Sequence, residues 1–125
     1  FNSLSTAHAS FKSRTYTTPL ENQLKQLHLE ISNSLEQKHS IARCAKQLNI
    51  SESYFQLIYK KLFGISFQQD LILMRVTRAR FNLSTSNLSL SQIAELCGYN
   101  NEVHFYRQFK KLTGVTPAYY REHPF

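Results

Sequence analysis

Apolar residues recur at helical spacing from residue 20 almost to the end of the chain, and no sustained apolar/polar alternation marks a strand. The longest such pattern is FQQDLILMRVTRARFNL, residues 67–83, which lacks Gly and Pro. Its apolar positions, Leu71, Met74 or Leu73, Val76, Ala79 and Leu83, keep close to a 3.6 period, so the stretch predicts one unbroken helix. Ahead of it, Thr18-Pro19-Leu20-Glu21 has the form of a capping box with proline in the first turn. The helix that follows carries Leu20, Leu24, Leu27, Ile31 and Leu35 in one stripe, as a cover for a neighbouring core or as a short dimer seam. Ser40 caps a helix over 41–48 that Asn49 and Ile50 end, and Ser51 caps another over 52–63 that Gly64 closes. Beyond a loop at 84–87, Ser89 with Gln92 starts a helix over 90–97 ending at Gly98. Asn100 or Asn101 caps 102–113, Gly114 ends it, and Pro117 opens a last turn over 118–123. The pattern predicts an all-α protein of about seven helices.

Two parts of this pattern are copies. Glu52, Phe55, Lys60, Lys61, Leu62 and Gly64 recur fifty positions on as Glu102, Phe105, Lys110, Lys111, Leu112 and Gly114, while Ala45 recurs as Ala94 at forty-nine. The second copy therefore holds one extra residue in its turn. Each copy is a short helix, a tight turn and a longer helix, the helix-turn-helix arrangement. Small Ala45 and Ala94 sit where the two helices cross, and Ile50 and Tyr99 fill the turns from beneath. In the first copy Phe55, Ile58, Tyr59 and Leu62 are expected to point inward, and in the second Phe105, Phe109 and Leu112. That leaves Ser53, Gln56, Leu57 and Lys60 outside, and likewise Glu102, Val103, Tyr106, Arg107 and Lys110. The expected organisation is a linker or disordered start over 1–17 and one domain over 18–125. Within it, helix-turn-helix units near 41–64 and 90–114 are joined by the linking helix near 67–83.

Charge narrows the partner. Fifteen Lys and Arg against eight Asp and Glu give +7 at pH 7, a balance suited to a polyanion. An exposed helix face fits the major groove, where Gln reads adenine, Arg reads guanine and apolar groups touch the thymine methyl. Lys60, Lys61, Lys110 and Lys111, near the helix ends, suit phosphate neutralisation, which positions without specifying. Glu102 accepts from cytosine or, the favoured reading, supports the helix start electrostatically. No apolar run approaches the ~20 residues of a membrane span and no signal-peptide succession opens the chain, so a cytosolic protein is expected. Cys44 and Cys97 lie in corresponding apolar parts of the two repeats and read as buried reduced thiols, with a bridge between them as the alternative. The scattered histidines, His8, His28, His39, His104 and His123, lack metal-ligand spacing, and no phosphate loop, nucleophile elbow or catalytic acid pair is present. No metal, cofactor or enzymatic activity is expected. A chain opening on Phe1 reads as a fragment of something longer.

Three motifs carry a resemblance over residues 41–121: A-x-x-x-x-I-S-x-S-Y-F-x-x-x-Y-K-K-x-F-G-I-S-F at 45–67, R-x-x-x-A at 75–79, and I-A-x-x-C-G-Y-x-x-x-x-x-F-x-x-x-F-K-K-x-x-G-V-T-P-x-Y-Y-R at 93–121. In these the chain resembles the C-terminal DNA-binding domain of the AraC/XylS family of bacterial transcription regulators. The resemblance implies two helix-turn-helix subdomains on a linking helix, sequence-specific binding to double-stranded promoter DNA, and activation by recruiting RNA polymerase. It also implies an N-terminal effector-binding or dimerisation domain ahead of residues 1–17. It puts base-facing residues at Ser53, Gln56, Leu57 and Lys60 and at Glu102, Val103, Tyr106 and Arg107, and gives Arg75 a structural place near the junction. The chain departs from the family at Leu57, usually polar or basic, at Asp70, usually Tyr, and at Ile72 and Leu73, usually polar. The last two hint at an apolar face on the rod, whose Arg78 and Arg80 read as solvated. Two unequal heads on a rod roughly 25 Å long predict an asymmetric site of roughly 20 base pairs, read in two successive major grooves. The competing class is a helical interaction module whose basic face meets an acidic protein partner or a membrane, although no segment shows the one continuous basic amphipathic face of a membrane-surface helix.

Overall fold

In the computed structural model, residues 18–124 are described, so the expected linker over 1–17 lies outside them. Seven helices follow in order: α1 (Pro19–Ser32), α2 (Ile41–Leu48), α3 (Glu52–Phe63), α4 (Phe67–Thr85), α5 (Leu90–Leu96), α6 (Glu102–Thr113) and α7 (Pro117–Glu122). Their starts are set by the side chains the sequence nominates. Thr18 accepts from the Glu21 amide while the Glu21 carboxylate accepts from the Thr18 amide, and Ser89 and Gln92 repeat the exchange. Ser40, Ser51, Ser66, Asn101 and Thr116 each accept from the amide three residues on. Gly64 and Gly114 close α3 and α6 in the left-handed region.

Several boundaries move. The rod runs to Thr85, so residues expected in the loop lie within the helix, where the hydroxyls of Ser84 and Thr85 donate to carbonyls one turn back. α1 stops at Ser32, yet Leu35 is still buried from the connection that follows, so the stripe outlasts the helix. Cys97 is the cap of α5 and lies outside the helix.

Two cores form, one on each part of α4. Leu24, Leu27 and Ile31 of α1 meet Phe55 and Tyr59 of α3 and Phe67 and Leu71 of α4. Val76, Ala79 and Leu83, further along α4, meet Ile93, Ala94, Cys97, Phe105, Phe109 and Tyr120. The α1 stripe thus covers the first core. α4 serves both halves: its first turns close the first unit as α7 closes the second, and its last turns open the second unit as α1 opens the first.

Both cysteines are free and buried, one in each core. The expected inward set needs one correction. Leu112 is 48% exposed, whereas its counterpart Leu62 is partly buried. Ile58 and Leu62 share an apolar groove with Leu20 and Leu24 of α1; α6 has Gln108 in place of Ile58, which accepts from the Tyr99 hydroxyl at 2.5 Å and leaves Leu112 without that apolar neighbour. Arg78 and Arg80 are also not simply solvated. Arg78 donates to the Ser32 carbonyl at 3.2 Å, and Arg80 donates to the Tyr120 hydroxyl at 3.4 Å with its guanidinium beside that ring. The apolar face hinted on the rod is present in part: Leu73 and Phe81 are exposed, while Ile72 packs on the second core.

Candidate nucleic-acid interface

Burial of Phe55 and Tyr59 fixes the rotation of α3, because a helix that sends these two residues inward must turn the residues between them out. Ser53, Gln56, Leu57 and Lys60 are accordingly exposed, Leu57 at 64%. Burial of Phe105 and Phe109 does the same for α6, leaving Glu102, Val103, Tyr106, Arg107 and Lys110 outside. Four of these correspond at an offset of fifty: Ser53 with Val103, Gln56 with Tyr106, Leu57 with Arg107, and Lys60 with Lys110. The two units therefore present the same helix face with different chemistry.

Gln56, Leu57, Lys60 and Lys61 border one cleft beside α3, closed on its other side by Ile41 of α2 and by Ser66, Phe67 and Gln68 at the start of α4. Ile41 and Gln68 have no marker in the sequence, since only tertiary packing brings them next to Gln56. Tyr54 and His104, equivalent positions, are exposed beside the nominated residues, and the fifty-residue repeat was the signal that pairs them. Glu102 lies in the first turn of α6 among its free amides, where a carboxylate opposes the helix dipole favourably. It borders a separate cleft with Asn100, Asn101 and the α1–α2 residues Glu36 and Lys38.

Lys60 and Lys61 end α3, and Lys110 and Lys111 end α6. At those places a cation complements the carbonyl end of the helix and remains free to meet a polyanion. Arg75 is half-buried near the junction, as the resemblance implied: it donates to the Gln37 carbonyl at 3.2 Å, and burial lowers its pKa. Burial pushes the Cys44 and Cys97 thiols up to about 11, so both are protonated, inert packing groups. Among the described residues no three His, Cys, Asp or Glu side chains converge as metal ligands, and no helix is long and apolar enough to cross a membrane.

Paired helix-turn-helix units with polar and basic outer faces define a class, the tandem helix-turn-helix DNA binders. Comparison with known proteins agrees. A family model described as a helix-turn-helix domain matches residues 44–123. The chain is 39% identical over 75 residues to the raffinose operon transcriptional regulatory protein RafR of Pediococcus pentosaceus, covering 60% of this chain and 27% of that one. The C-terminal domain of the response regulator yesN from Fusobacterium nucleatum superposes with a TM-score of 0.76 at 31% identity, over 80% of this chain and 98% of that one. The DNA-binding domain of AdpA, solved in complex with a target DNA, gives a TM-score of 0.77 at 27% identity over 80% and 90% of the two chains. The chain belongs to the AraC-type family of helix-turn-helix DNA-binding transcription regulators. It spans 12% to 39% of the length of the first curated relatives it matches.

Proposed function

We propose that this chain reads an asymmetric promoter site of roughly 20 base pairs, with α3 in one major groove and α6 in the next on the same face of the duplex. The observation that supports this most is the recurrence of one exposed face, fifty residues apart, on equivalent helices at either end of a single 19-residue rod. At ~1.5 Å per residue that rod is roughly 28 Å long, and the width of the flanking units brings the readers toward the ~34 Å of one DNA turn. Gln56 and Arg107 are the base readers, with Ser53, Leu57, Val103 and Tyr106 completing the groove-facing surface. Lys60, Lys61, Lys110 and Lys111 neutralise phosphates. Glu102 acts through the α6 dipole more than through a base. The chain binds and does not catalyse. In the whole protein it acts in the bacterial cytoplasm, activates transcription through contact with RNA polymerase, and answers to an N-terminal effector-binding or dimerisation domain. The domain bounds we assign are 18–125.

Duplexes selected from a random pool, then compared with scrambled ones by gel shift at two salt concentrations, test the reading. With about six phosphates neutralised, log affinity falls with log salt at a slope of about −5. Arg107→Ala costs about 1 to 3 kcal/mol on the selected duplex and relaxes the sequence preference there. Failure to prefer any selected duplex over its scrambled form would instead favour a module whose basic face meets an acidic protein.

A further inference from the structure

The two halves meet at a second place besides the continuous rod. Gly98, in the turn of the second helix-turn-helix, has φ +91°, and a Cβ there would collide with the backbone carbonyl of Leu35, in the α1–α2 connection of the first half. The same Cβ would lie 2.8 Å from Nε of Arg75, which rises from the middle of α4 between the two cores. Arg75 Nη2 donates to the Gln37 carbonyl at 3.2 Å, and Arg78, on the same helix, donates to the Ser32 carbonyl at 3.2 Å. The chain leaving α1 is thus held from the rod at Ser32 and Gln37, on either side of Leu35, which lies against Gly98.

We propose that Arg75 and Gly98 are positioning residues that fix the separation and rotation of the two reading helices, and thereby the half-site spacing the protein accepts. This rests on the two-groove reading above. A lone helix between two bodies leaves bending and twisting modes open. A contact off the helix axis, backbone against backbone with a planar guanidinium wedged beside it, closes the loop and removes them. Each added base pair moves a half-site by roughly 3.4 Å and roughly a tenth of a turn. A rigid pair of heads resolves such a step, whereas a hinged pair follows it. Rigidity raises the effective concentration of the second head at the matching spacing and lowers it at every other. The first turn needs no such approach: its left-handed residue is Asn49, φ 63°, which carries a side chain.

The test uses the 125-residue chain and the duplex that it selects from a random pool. Variants of that duplex carry one or two base pairs inserted or removed between the half-sites, and one has the second half-site scrambled. Wild type is expected to show a single sharp optimum. Arg75→Met removes the guanidinium fork but keeps a long unbranched side chain that adapts to the space left, and half-site binding reports whether the variant folds. The substitution should lower binding at the optimum by roughly tenfold, leave the half-site duplex unchanged and flatten the spacing profile. Gly98→Ala, where it folds by half-site binding, should shift or flatten the profile in the same way. If Arg75→Met lowers affinity by one common factor on all duplexes, the side chain merely stabilises the fold and the proposal is wrong. If wild type itself has no spacing optimum, the two-groove reading fails instead.

Discussion

Where α3 carries Tyr59, α6 carries Phe109, and where α4 carries Asp70, α7 carries Tyr120, each pair fifty residues apart. The first half has thereby placed a hydroxyl and a carboxylate inside its core. Tyr59 donates to Asp70 at 2.6 Å, His28 of α1 approaches the same carboxylate oxygen at 3.2 Å, and His28 stacks on Phe63. Three helices are tied through one buried oxygen. The second half seals the equivalent place with rings: Phe105, Phe109 and Tyr120 meet edge to face, and the Tyr120 hydroxyl faces Arg80. One fold thus tolerates either solution, provided each buried polar group finds a partner, since an unmatched one costs more than a made hydrogen bond contributes.

That contrast can be broken by mutation. Phe55→Ala and Phe105→Ala should each cost about 3–5 kcal/mol in urea unfolding, because both are fully buried at the crossing of the two helices. A much smaller loss in one half would show that its unit folds loosely. Tyr59→Phe removes the shorter of the two contacts to the buried Asp70 carboxylate and should cost about 1–3 kcal/mol, against roughly 0.5–1.5 for Tyr120→Phe, whose bond to Arg80 is long. Equal costs would mean that Asp70 is satisfied by His28 alone. Leu62→Gln should cost about 1–2 kcal/mol and Leu112→Gln under about 0.5, following the difference in burial.

Alkaline titration sharpens the same comparison. The thiols of Cys44 and Cys97 are raised by burial from 9.0 to about 11, and Tyr59 is raised further, by burial and then by its hydrogen bond to Asp70. Raised folded-state values stabilise the fold fully below the unfolded ones, and that contribution is lost as pH rises. The urea midpoint should therefore fall between about pH 9 and 11, and Cys44→Ala with Cys97→Ala should reduce that fall. An unchanged slope in the double variant would leave the buried phenols of Tyr59 and Tyr99, both also raised by burial, as its source.

Helix number, order and starts were legible in the sequence because they depend on residues within a few positions of one another: Thr18 with Glu21, Ser89 with Gln92, Gly64 and Gly114 at their ends. The outward faces were legible too, since inward Phe55 and Phe105 fix the rotation of their helices. Leu112 was misplaced because its burial turned on whether position 108 or 58 supplied an apolar neighbour, a property of the pair and not of the stripe. Asp70 could be seen as odd but not as paired, since Tyr59 and His28 reach it from other helices.

Local spacing, then, wrote the seven helices, their caps, the doubled unit and the family. Only the folded molecule decided that Asp70 has two partners, that Arg78 and Arg80 are tethered, and that Gly98 lies against the Leu35 carbonyl. The reason is range: caps and stripes are set within a turn or two of chain, whereas these contacts join residues brought together only when two cores close on the same rod.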